Sequence, residues 1–208
     1  MTTKMVTQTS NWSSVNRQCN SKTKTRRNIV KISENKAVSQ LSELLSLHCG
    51  YSEKDASQIK VAAALHDIGK MRVSKSILQK PDNLLPSEFE EMKMHTKYGS
   101  NYLASIIPGE LGKKASMIAL FHHEWHDGHG YWGFKASSLP KYIGIVSICD
   151  VLCALLSERD YKQSWTLKES LEYIYDAKET QFCPKLVDEL LSLLSSNDKA
   201  TNVLKHVA

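Results

Sequence analysis

Apolar residues recur with helical spacing along most of the chain. Val38, Leu41 and Leu45 open the pattern and predict an amphipathic helix that stops at Cys49-Gly50. Ser52 then stands as an N-cap before an alanine-rich second helix over 53–67. Pro86-Ser87 opens a third helix to about Ile107, closed by Pro108-Gly109. A fourth runs from about Leu111 to Trp125. The stretch DGHGYWGFKASSLP holds Gly128, Gly130, Gly133 and Pro140 and reads as a loop. Pro140 starts a fifth helix through Leu156, and shorter ones follow near 167–177 and 184–194. No window alternates as a half-buried strand does. The expected fold is all-α: a bundle of about seven helices over 31–200, behind a leader over 1–30.

Composition fits that expectation. With 208 residues, 41% hydrophobic and 24% charged, the chain has enough material for one sizeable core. The longest apolar run, Ile143 to Leu156, is too short for a bilayer and contains Asp150. The first residues are polar and lack an apolar signal core, which points to the cytoplasm. Five cysteines without CxxC spacing read as reduced thiols. The net charge of +5 is concentrated at one end. Residues 1–36 carry eight Lys or Arg against Glu34 alone, a net +7 that leaves −2 for the rest. This Ser/Thr/Asn-rich leader reads as a disordered, solvated segment, which makes nucleic acid an unlikely partner for the domain itself.

Polar residues interrupt four of the apolar helical faces. His66-Asp67 ends the second helix, in ALHDIGK, on a face shared with Ala56, Ile59 and Ala63. His95 shares a face with Met92, Gly99, Tyr102 and Ile106. His122-His123 lies near the end of the fourth helix, and Asp150 lies with Ile143, Val146 and Cys153 in the fifth. A buried carboxylate such as Asp150 is costly unless a partner offsets its charge. That partner is either a metal ion or a Lys or Arg from another helix. A single buried histidine is most often a hydrogen-bonded core residue, and a single HD dipeptide is common by chance. Four such sites converging are far harder to explain without a cation. Nitrogen and carboxylate ligands without thiolates suit iron, manganese, zinc or a similar ion. A short carboxylate beside a histidine can bridge two ions, the arrangement that serves phosphoester hydrolysis.

These motifs, in this order, resemble the HD-GYP family of bacterial cyclic di-GMP phosphodiesterases. The matching text is AAALHDIGK, SILQKPDNLLPSEFEEMKMHTKYGS, IALFHHEWHDGHGYWGFKASSLP, IVSICDVLCALLSERDYKQSW and TQFCPKLVD, spanning about residues 40–190. The resemblance implies an HD-superfamily helical bundle and two divalent metal ions. It implies ligation by His66, Asp67, His95, His122, His123 and Asp150, with Asp67 bridging. Lys70 would face the scissile phosphate, and Arg159 and Lys162 would contact substrate phosphate. Gly130 and Tyr131 match the first letters of the GYP loop. That loop borders the site and is, with Trp132, a candidate contact for a protein partner.

Four departures accompany the match. The family's first-helix histidine falls near Glu34 and Asn35, where this chain has none. The third letter of GYP is Trp132, the second aspartate of a D-x-x-D pattern is Cys153, and F-D-P reads Phe182-Cys183-Pro184. Asp67, His95, His122 and His123 still form one full ligand set. The other ion keeps His66, Asp67 and Asp150, with Glu34 as a candidate further ligand, and is expected to bind more weakly. Three readings follow: cyclic di-GMP hydrolysis, hydrolysis of another nucleotide phosphoester, or a degenerate domain that binds nucleotide or protein.

Overall fold

Three helix starts in this chain, those at Glu53, Pro86 and Leu167, are set by specific capping groups in the computed structural model. It describes residues 21–80, 82–157 and 164–205, with side chains from Asn35 onward. The backbone runs as α1 (Ser21–His48), α2 (Glu53–Ala64), α3 (Lys75–Leu78), α4 (Pro86–Ile106), α5 (Gly109–Phe121), α6 (Lys141–Leu156), α7 (Leu167–Asp176), α8 (Pro184–Ser196) and α9 (Asp198–Lys205). Short 3₁₀ segments cover Ile68–Arg72 and Ala136–Ser138. Among the described residues there is no strand, only an isolated bridge between Lys178 and Phe182. No helix among them is long and apolar enough to cross a membrane.

Ser52 caps α2, its hydroxyl accepting the Asp55 amide at 3.1 Å. Pro86 opens α4, and the Glu88 carboxylate reaches back to the Leu85 amide at 2.7 Å. Thr166 and Glu169 form a reciprocal capping box at α7. α1 begins at Ser21, so residues 21–30 of the expected leader are its first turns, while 1–20 lie outside the described residues. The side chain of Glu34 also lies outside them, as do Arg159 and Lys162.

The core is centred on α6. Eleven of its side chains are buried, among them Ile145, Ile148 and Leu152, and α1 packs along it through Val38, Leu41 and Leu45. Each fully buried aliphatic side chain contributes roughly 1.5–3 kcal/mol. α2 and α5 close the bundle with Ile59 and Ile118, and α4 lies against α5 and the 3₁₀ segment at 68–72.

Two expectations need correction. α2 ends at Ala64 rather than continuing to Asp67, so His66 and Asp67 occupy a turn. α4 buries His95, Thr96, Gly99 and Leu103, while Tyr102 and Ile106 are exposed. The inward stripe drifts round the helix because 3.6 residues make a turn, and α4 leaves the core before its last turn. The short α3 and the terminal α9 add to the expected set of helices.

The turn after α2 is pressed onto α4 at a glycine. A Cβ on Gly69 would lie 1.9 Å from the His95 carbonyl oxygen and 2.4 Å from the Gly99 amide nitrogen. Opposite it, a Cβ on Gly99 would lie 3.2 Å from the Gly69 amide nitrogen. Backbone meets backbone here, and that contact brings Asp67 beside His95. Gly69→Ala forces the turn off α4 and is expected to destabilise the protein by about 1–3 kcal/mol. A urea denaturation series would record it; an unchanged midpoint would mean that the two segments need not touch.

Candidate metal centre

Three histidines are committed to the backbone by one ring nitrogen each. His66 Nδ1 lies 2.7 Å from the Ala63 carbonyl, and His95 Nδ1 lies 2.7 Å from that of Met92. His122 Nδ1 lies 3.0 Å from the Ile118 carbonyl and 3.1 Å from that of Ala119. Only an N–H can satisfy a carbonyl, so Nδ1 carries the proton in each ring. In the neutral rings Nε2 is then a bare lone pair, the tautomer that metal-binding histidines show.

Two of these Nε2 atoms, those of His95 and His122, point to one place beside Asp67. His95 Nε2 and His122 Nε2 face each other at 3.5 Å. Asp67 Oδ1 lies 3.3 Å from the first and 3.8 Å from the second. His66 Nε2 stands between two carboxylates, 3.5 Å from Asp67 Oδ2 and 3.4 Å from Asp150 Oδ1. Ligand atoms of Asp67, His95, His122 and His123 all lie within 4.8 Å of one another. Asp67 Oδ1 is buried without a hydrogen bond. Acceptors of this kind repel one another unless a cation lies among them, so this donor set fits a divalent metal.

The ionisation states agree with that reading. Burial, then the neighbouring imidazoles, drives His122 well below the usual histidine range. Burial, then His95, pushes His123 down to about 3. Burial also opposes charge on His66, but Asp67 and Asp150 outweigh it and hold that ring well above the usual range. Burial raises Asp67 and Asp150, yet Lys70 and His66 overcome it for the first, and His66 does so for the second. A metal ion held by His66 Nε2 would have to displace its proton.

The remaining expected residues surround this cluster. Lys70 Nζ pairs with Asp67 Oδ2, which places its ammonium at the edge of the cluster. Tyr131 tilts over His123 with ring centroids 4.4 Å apart and also meets His95 at 6.3 Å. Burial, then the two aspartates, raises its phenol, so it stays protonated. Gly130 lies against the strand of chain that carries the histidines: a Cβ there would come within 2.4 Å of Glu124 Cα. Trp132 turns towards α4, donating from Nε1 to Thr96 Oγ1 at 3.1 Å under the Lys97 ammonium. Cys153 is fully buried in α6.

One residue escaped the sequence reading. Glu124 is 6% exposed, and its two oxygens accept the amides of Trp132 at 2.7 Å and Phe134 at 2.8 Å. It clamps the glycine-rich loop so that Tyr131 rests on His123. The HHE triplet placed it beside the ligands, but nothing in helical spacing directs a carboxylate at backbone amides eight and ten residues on.

Comparisons with known proteins agree with this geometry. The HD domain family model matches residues 36–155, more than half the chain. The cyclic di-GMP phosphodiesterase response regulator RpfG of Xanthomonas campestris is 37% identical over 155 residues, covering 74% of this chain and 41% of that protein. A cyclic di-GMP phosphodiesterase of Thermotoga maritima is 38% identical, covering 75% of this chain and 42% of its own length. The 3'3'-cGAMP-specific phosphodiesterase 2 of Vibrio cholerae is 38% identical, covering 68% and 27%. The chain thus spans less than half the length of these relatives. Among solved structures, the HDG"Y"P protein Bd1817 of Bdellovibrio bacteriovorus superposes with a TM-score of 0.61 at 18% identity, covering 78% of this chain and 52% of that one. The HD domain of the Listeria monocytogenes phosphodiesterase PgpH gives 0.55 at 18% identity, covering 83% and 93%.

Acid should weaken the protein once its metal is chelated away. His122 and His123 have folded-state pKa values below those of the unfolded chain, so unfolding takes up protons as pH falls through about 6.5. His66 has the opposite sign, but it is one ring against two. The urea midpoint of the chelated protein is expected to drop between about pH 7 and about pH 5. A midpoint that rises over that interval would contradict neutral burial of these rings. The chain belongs to the HD domain family.

Proposed function

We propose that this domain is a metal-dependent phosphodiesterase whose substrate is cyclic di-GMP, opened to the linear dinucleotide and then cut to GMP. The observation that carries the reading is Asp67 Oδ1, buried without a hydrogen bond and facing His95 Nε2 and His122 Nε2. Iron or manganese suits the donor set. Asp67, His95, His122 and His123 would hold the stronger ion, and His66, Asp67 and Asp150 would hold a second, weaker one. A bound divalent ion supplies Lewis acidity to a phosphoryl oxygen and lowers the pKa of water.

The chain's own residues do the rest. The backbone carbonyls of Ala63, Met92 and Ile118 keep the imidazoles in the ligating tautomer. Lys70, at the edge of the cluster, offsets the negative charge that builds on the phosphoryl oxygens. Tyr131 covers His123 and excludes water from that side. Arg159 and Lys162 complete the reading as contacts to substrate phosphate, and Gly130 lets the loop approach the ligands closely.

A second substrate is favoured by the Vibrio cholerae relatives whose names specify 3'3'-cGAMP. One assay separates the two: the purified protein is loaded with iron or manganese and given each cyclic dinucleotide beside an Asp67→Ala control. Turnover of cyclic di-GMP that falls by about a thousandfold or more in the control is expected, because Asp67 serves both ions. Metal content without turnover of either nucleotide would overturn the enzymatic reading and favour a binding module.

A further inference from the structure

Outside the metal cluster, α4 carries an exposed aromatic ring joined to it by an unbroken stack. The Phe89 ring is 41% exposed, large for a side chain that touches another aromatic. It meets Tyr131 edge-to-face at 5.6 Å, and Tyr131 lies 4.4 Å from His123. One side chain, Tyr131, thus separates Phe89 from a residue of the cluster. A lone exposed phenylalanine is ordinary. Here it stands next to a donor and an acceptor suited to one base.

Glu90 follows it directly, and Lys93 stands one turn on. The Lys93 ammonium lies 5.8 Å from the Phe89 centroid and 2.7 Å from Glu90 Oε1. The Glu90 side chain is 65% exposed. Glu90, the exposed half of the pair, contributes little to stability there and re-partners at little cost. Lys93 is only 14% exposed, and its ammonium also lies 5.5 Å from the Trp132 ring. Guanine presents the O6 acceptor beside the N1–H and N2–H donors. Lysine and glutamate meet these in order, the lysine on O6 and the carboxylate on the two donors. Adenine presents an amino donor where guanine has O6, so it leaves both groups poorly paired.

We propose that Phe89, Glu90 and Lys93 form a guanine-reading subsite: the ring stacks the base, and the ion pair opens to bind its edge. The inference rests on the phosphodiesterase reading above and adds the residues that select the base. It makes guanine preference a property of the first turns of α4, carried by residues that are not themselves metal ligands.

The test uses Phe89→Leu, Glu90→Gln and Lys93→Met, with metal content and circular dichroism as controls for folding. With cyclic di-GMP as substrate, Phe89→Leu is expected to raise KM about tenfold, the loss of one base–aromatic stack, with kcat changing far less. Glu90→Gln and Lys93→Met are expected each to narrow the preference for cyclic di-GMP over cyclic di-AMP by about tenfold. Unchanged KM and unchanged preference in all three would overturn the subsite while leaving the hydrolase standing. If the wild-type protein turns over neither nucleotide, the hydrolase reading fails, and titration with GMP and AMP decides the subsite alone. GMP binding that exceeds AMP binding and weakens in Phe89→Leu supports it; equal binding, or none, overturns it.

Discussion

Lone pairs without protons, forced together in a dry interior, set the terms for the rest of this domain. His95 Nε2, His122 Nε2 and Asp67 Oδ1 crowd one point from three different elements. The imidazole protons that might have linked them are spent on backbone carbonyls. Such an arrangement costs free energy unless a cation occupies it, and helix packing is what holds it in place. α6 supplies Asp150 from the most deeply buried helix, and α5 delivers His122 as its last cap. The bare glycine contact at Gly69 and Gly99 carries Asp67 to His95.

A second layer protects this centre. Glu124 holds two loop amides, Gly130 allows the loop to lie on the histidine-bearing segment, and Tyr131 then covers His123. Trp132, which stands where the family pattern has proline, is bonded to Thr96 on α4 and stabilises the loop from its other side. The loop is thus part of the site's wall, held by these hydrogen bonds and by the packing of Trp132 and Phe134.

Much of this was legible in the sequence. Helix order followed from spacing and from caps such as Ser52 and Pro86. His66, Asp67, His95, His122, His123 and Asp150 were all named from motifs; Asp67, His95, His122 and His123 lie in one group, with His66 and Asp150 paired beside it. Periodicity failed where the helix ends are decided by tertiary contacts. The turn at His66-Asp67 exists because Gly69 seats on α4, a fact no local pattern announces. Tyr102 and Ile106 looked inward because spacing cannot tell where a helix leaves the core. Glu124 was invisible for a different reason: its partners are amides, which every residue but proline carries.

The most direct trial of the account is anomalous diffraction from crystals grown with manganese. A peak bounded by Asp67 Oδ1, the Nε2 atoms of His95 and His122, and His123 is the predicted result. A folded protein whose anomalous density lies elsewhere, with water alone among these four side chains, would contradict it.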